Sequence, residues 1–342
     1  MDRDLTGPRP EGDEEVVITA DDELNEDVRD RLEIKGCAGV LVDGWGKQET
    51  RIFQTISALK QRPDFQPRVR RKVFHFYTKV IQELQLGDEA WHNAVWMLLR
   101  CLAACPALDA SSDTCMAVVL LLRKNTTALL PVDVEWYVHK AQILSEVLSS
   151  DAGGVVEAGG TMAGGIEARD LLDKEREILR ALGWKINLPS VHTWMSVLCT
   201  RAHILMQQNW GAQIGHAFQR AMQWCTAIML CSEMPLAPRC LADGLFCVGL
   251  AYCGVLPIDA VVPETHRNYE TIFSRAWSTL QPPAVQVPAD QVPIITHIVE
   301  VAACRSMAEL QEDVIAVAPV LQEVMHERDS WQQSQLARSG GA

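Results

Sequence analysis

The chain lacks a cationic start followed by an apolar stretch, so no secretory signal is expected. It lacks any long hydrophobic run. The longest, 116–122, is far too short to cross a bilayer, and the mostly apolar segment 241–256 is also short and contains Asp243. Its eleven cysteines include no Cys-x-x-Cys pair, and its nine histidines are dispersed without zinc-ligand spacing. No structural metal, no metal site and no cofactor are therefore expected. An odd cysteine count, with most cysteines inside apolar helical stretches, reads as a reducing compartment, nucleus and/or cytoplasm. No segment alternates β-branched and polar residues over a useful length, so strands are not expected. No nucleophile–base pair, carboxylate pair or phosphate-cradling loop stands out, and the chain is not expected to be an enzyme or to take a small-molecule substrate.

Positive charge is scarce. Against 44 acids there are 31 Lys and Arg, a net charge of −13. A nucleic-acid partner needs a basic footprint, so none is expected. The imbalance is local. Residues 1–35 hold 13 acids and 5 bases, so −8 of the −13 sits in that first tenth of the chain. With few aromatics it reads as disordered. What remains has the balance of an ordinary globular protein, at 48% hydrophobic and 22% charged over the whole chain.

Helical periodicity dominates the rest. A short helix is expected near 48–61, with Pro63 and Pro67 after it. Val69, Val73, Phe76, Tyr77, Val80, Ile81 and Leu84 recur at steps of three and four, and Gly87 and Asp88 are read as the stop and the next cap. Further helices follow through Trp91–Leu102, from Ser111 or Ser112, after Pro131, and over about 166–182, where Gly183 is a natural stop. Residues 116–122 are apolar all round, the mark of a helix in the middle of a bundle. Residues 151–165 carry six glycines and read as a flexible insertion. A second set is placed near 190–206, 213–231, 236–254, 264–280, 291–305 and 307–327. The fold expected is all-α, in two bundles of about five helices. Trp91, Trp96, Trp194 and Trp224 are expected in the core.

The stretch formed by Glu175, Ile178, Leu179, Leu182, Gly183, Trp184, Ile186, Pro189 and Ser190 resembles the close of a cyclin's first repeat and the opening of its second. An amphipathic helix ends, an extended piece tucks Trp184 and Ile186 inward, and Pro189 starts the next bundle. Residues 69–102 resemble the first two helices of a cyclin box, with Arg70, Phe76, Leu86, Ala94, Val95 and Arg100 in place. Residues 116–124 resemble its central helix, and 238–251 more weakly resemble that of the second repeat. The resemblance divides the chain into a disordered acidic segment 1–46, a helix and linker 47–68, an N-terminal cyclin box 69–188, a cyclin-like repeat 189–328 and a flexible tail 329–342.

The resemblance implies a regulatory subunit that binds a cyclin-dependent protein kinase and activates it in cell-cycle control. The lysine and glutamate by which cyclins grip the kinase fall on Lys124 and Glu175. A substrate-docking groove would fall on Val69, Lys72, Val73, Phe76 and Lys79, altered here because two lysines repel basic motifs. Where the family has aspartates this chain has His75 and Leu99, so Arg70 either turns to solvent or is served by another acid. The alternative is a cyclin-fold scaffold or peptide binder that activates no kinase.

Overall fold

The computed structural model describes residues 39–56, 59, 62–126, 132–149, 166–206, 210–231, 236–262 and 287–339. The acidic head over 1–38, the glycine-rich insertion 151–165 and the helix expected near 264–280 lie outside the described residues. Among the described residues there are helices and no strand. Helix α1 is Gly39–Ile56, and a 3₁₀ turn at Pro63–Phe65 follows. The next five are α2 (Pro67–Glu83), α3 (Asp88–Ala104), α4 (Ser112–Thr126), α5 (Val134–Ser149) and α6 (Ala168–Ala181). Then come α7 (Val191–Leu205), α8 (Gly211–Cys231), α9 (Pro238–Tyr252), the short α10 (Ile258–Val261), α11 (Val292–Ala303) and α12 (Met307–Ser339).

Each half is arranged around one enclosed helix. Helix α4 packs against α3, α5 and α6, and residues 114–122 are all buried, as a helix apolar all round must be. Helix α9 plays the same part between α7, α8 and α12, and 241–252 are all buried. Two of its glycines set how close the neighbours come. A Cβ on Gly244 would sit 2.7 Å from Val317 Cγ2 and 2.8 Å from the Asp313 carbonyl of α12, and one on Gly249 would sit 3.1 Å from the Ala217 carbonyl of α8. The four tryptophans expected in the core are buried.

The helix ends show how the sequence stops each element. Pro67 opens α2 at its first position, where a missing N–H costs nothing. Four ends are closed by a left-handed residue with paired return bonds. The residues are Gln85, Gly183, Gly254 and Cys304. At α6, Trp184 N donates to Leu179 O at 2.8 Å and Gly183 N to Arg180 O at 3.0 Å, which satisfies two orphan carbonyls. At α2 the left-handed turn is made by Gln85 rather than Gly87, and Gly87 is instead the N-cap of α3, with Asp88 inside the helix. Asp133 Oδ1 accepts from Glu135 N at 3.1 Å and starts α5, and Ser190 Oγ accepts from Thr193 N at 3.4 Å and starts α7.

Two boundaries move. Helix α1 begins at Gly39, inside the segment 1–46 expected to lack structure, because Val42, Trp45 and Glu49 share a face that packs on the rest of the molecule. Helix α12 continues to Ser339, past the tail boundary at 328, because nothing in 329–339 breaks a helix before the glycines at 340 and 341.

Helix α1 bridges the halves, packing on both α3 and α9. Glu49 is buried at that junction. Its Oε2 accepts from Trp194 Nε1 at 2.5 Å and its Oε1 from the backbone N of Arg239 at 2.6 Å, an N–H that α9 leaves open at its first turn. Burial nevertheless raises the Glu49 carboxyl to about 7. The Arg239 guanidinium lies 5.1 Å from the Trp194 ring and 3.4 Å from Asp243 Oδ2. Asp243 also takes Arg305 at 2.8 Å, and burial raises its carboxyl to about 6. A second bridge is aromatic. His92 of α3 lies 6.0 Å from His192 of α7, which stands edge-on to Phe218 of α8 at 5.4 Å.

Candidate functional site

Lys124 and Glu175 meet. Lys124 leaves the last turn of α4, where a cation complements the helix dipole, and Glu175 faces it from the third turn of α6. The ammonium donates to both carboxylate oxygens, at 2.8 Å to Oε1 and 2.6 Å to Oε2. The residues are 51 apart in sequence, and the pair ties the enclosed helix to the helix that ends the first half. The lysine side chain is 38% exposed and the glutamate 12%, so solvent reaches the pair from the lysine side. An ammonium has three donors, and two are spent on the carboxylate. One N–H and the remaining carboxylate lone pairs are not used in that contact.

The surroundings are mixed. Asn125 Nδ2 donates to Asn187 Oδ1 at 2.7 Å, which fastens the end of α4 to the connection between the halves. Arg100 fastens the same connection from α3, donating to the carbonyls of Lys185 and Ile186, and its burial lowers its pKa to about 10. On α5, Glu135 and His139 are exposed, while Tyr137 is buried, its hydroxyl raised to about 12 by desolvation and eased by Arg123. The expectation for Trp184 is corrected. Its side chain is 69% exposed and its φ is +63°, because two consecutive left-handed residues, Gly183 and Trp184, turn it outward as the helix end closes. Ile186, two residues on, is half-buried.

On α2 the expected groove residues separate. Val73 and Phe76 face the core, Val69 and Lys72 are half-buried, and Lys79 is exposed. Lys72 Nζ donates to the Val147 carbonyl of α5 at 2.9 Å. Arg70 is 3% exposed, which removes the solvent alternative, and Leu99 is core.

Reading the sequence missed Glu49 and Arg201. Arg201 is fully buried and donates to the carbonyls of Ala302 and Val301, each at 2.7 Å, so it closes the C-terminus of α11. No local signal marks either residue, since the partners of Glu49 lie 145 and 190 residues away and those of Arg201 about 100.

Among the described residues no group of three or more His, Cys, Asp or Glu could hold a metal ion, and no helix is long and apolar enough to cross a membrane. Comparison of the chain with protein-family models and with curated protein sequences finds no match.

Proposed function

We propose that this chain is a cyclin-like regulatory subunit that binds and activates a cyclin-dependent protein kinase in cell-cycle control, in the nucleus and/or cytoplasm. The reading is carried by one observation. Lys124 and Glu175, singled out separately by resemblance to the cyclin motif, lie in one half-exposed bidentate contact. Two tandem cyclin-box repeats, the first built on α2–α6 and the second on α7–α12, are part of the same proposal. Each is arranged about an enclosed helix where the resemblance places the central one, α4 and α9.

The mechanism is a population shift. A kinase samples active and inactive placements of the helix whose glutamate pairs with the ATP-positioning lysine. A subunit that meets only the active placement, with the spare donor of Lys124 and the free lone pairs of Glu175 on that segment's backbone, draws the kinase to it. No nucleic acid, membrane or small-molecule substrate enters.

The test is co-purification with a panel of cyclin-dependent kinases, followed by a phosphorylation assay, with Lys124→Ala plus Glu175→Ala as the comparison. Loss of the charge-assisted contacts should weaken the complex by about 2–5 kcal/mol. Binding without activation would favour the scaffold alternative. Failure of every kinase to bind would overturn the proposal, and binding indifferent to the double variant would move the interface elsewhere.

A further inference from the structure

A charge imbalance is buried where α1 meets α9 and α12. Three carboxyls lie there, Glu49 of α1, Asp243 of α9 and Asp313 of α12, at 5%, 0% and 9% exposed. Two guanidiniums face them. Arg305 donates to both Asp243 and Asp313, and Arg239 lies 3.4 Å from Asp243. Fully ionised, the group would set three negative charges against two positive ones. An uncompensated charge away from water is expensive, and binding a proton removes it. Both hydrogen bonds to Glu49 come from uncharged N–H groups, Trp194 Nε1 and the backbone of Arg239, so this carboxyl has the weaker claim on a guanidinium. Asp243 Oδ1 is buried and has no hydrogen-bond partner among the described residues. Burial raises all three carboxyls, Glu49 to about 7 and Asp243 to about 6.

Other charged groups on the surrounding helices face elsewhere. On α3, His92 faces Thr226, Arg100 donates to the carbonyls of Lys185 and Ile186, and Asp88 and Glu89 are exposed. On α7, Arg201 closes α11, His192 stands against Phe218 and His203 lies beside Gly211. On α12, Glu309 is tied to Ser306, and on α1 itself Lys47 is exposed. The helix that carries Glu49 is a strap laid across the junction. Val42, Gly46, Glu49 and Ile56 are buried and Trp45 half-buried, on one stripe at helical spacing. Trp45 stands edge-on to Trp194 at 5.9 Å. A Cβ on Gly46 would sit 2.1 Å from Arg239 Nη1, so that guanidinium lies against the backbone of α1. Glu49 is the charged member of the stripe, and its burial depends on α1 being closed.

We propose that α1 is a proton-operated strap, closed over the junction while the buried cluster holds one proton on Glu49 and lifting when that proton passes to solvent. It lifts alone, with α4 and α9 still folded, and bares Trp194 and the first-turn N–H of Arg239. Acid therefore closes the strap and base opens it. Closed, Glu49 binds the proton up to about pH 7, and open, it binds as an ordinary glutamate near 4.5. The closing effect is complete below the second value and lost as the pH rises through the first. The inference is independent of any kinase.

Hydrogen exchange of the full chain, read by peptide mass spectrometry between about pH 5 and about pH 8, tests it. Each rate is divided by the chemical exchange rate of the unstructured peptide at that pH, so that only the opening equilibrium remains. Protection of α1 should fall roughly tenfold per pH unit up to about pH 7 and then level off, as the loss of one proton requires, while α4 and α9 keep theirs. Glu49→Gln should hold the protection of α1 constant over the same range. Unchanged protection of α4 shows that the variant is folded, and the series on the parent needs no variant. Protection of α1 that is independent of pH in the parent, loss of it in step with α4, or a slope that survives Glu49→Gln would overturn the proposal.

Discussion

Buried charge is where single residues matter most. Glu49 is held by two N–H donors, yet desolvation outweighs them and raises its carboxyl from 4.5 to about 7. The folded form therefore binds the proton more tightly than the unfolded one. The associated stability is complete below 4.5 and is lost as the pH rises through about 7, on the order of 3 kcal/mol. Glu49→Gln mimics the protonated acid, so its melting temperature relative to the parent should climb steadily between about pH 5 and pH 8. A flat difference across that range would show that the carboxyl titrates normally. Arg201 poses the opposite case. Methionine there would fill the space and leave the Ala302 carbonyl without its donor, while the Val301 carbonyl keeps the backbone N–H of Cys304. Arg201→Met should cost about 2–4 kcal/mol in urea unfolding, against a few tenths for an exposed arginine such as Arg169.

Among the elements, α9 has the least room. With Gly244 set against the backbone of Asp313, Gly244→Ala forces α9 and α12 apart and should cost about 1–3 kcal/mol by denaturant unfolding. Gly215, with nothing within 4 Å of its Cβ position, makes the matched control, since alanine is the better helix former and should be neutral or stabilising there. Elements were also the scale at which the sequence was most legible. Periodicity places α2 to α9 to within a few residues, because each needs a contiguous apolar face and is bounded by Pro, Gly or Ser. It fails at α1, where Glu49 breaks the apolar face and the compensating donors belong to α7 and α9. It fails at Trp184 because hydrophobicity predicts an inward side chain, while the left-handed backbone decides its direction. Of the candidate site, the residue types at 124 and 175 could be read from the motif. Their contact could not, since it depends on how α4 and α6 cross.

For the whole molecule, the junction between the halves holds two groups whose titrations act in opposite directions. His92 is held neutral by burial, its pKa lowered from 6.5 to about 3. Its contribution is intact above 6.5 and is lost as the pH falls towards 3, the reverse of Glu49. Between about pH 4.5 and 6.5 the two slopes offset each other, so stability should fall below that window through His92 and above it through Glu49. His92→Gln should unfold at a lower pH than the parent, and an unshifted acid midpoint would place the sensitive group elsewhere.

The buried thiols add a consequence of another kind. Cys101 and Cys115 lie in the first half, and Cys199, Cys225 and Cys247 in the second. Burial pushes every one of them up, Cys101 to about 12, so none reacts as a thiolate while its surroundings stay closed. The protein thus contains its own set of clocks. Alkylation rates at the two groups of positions should be equal if the halves open together, as the shared α1 implies, and should diverge if one half opens alone.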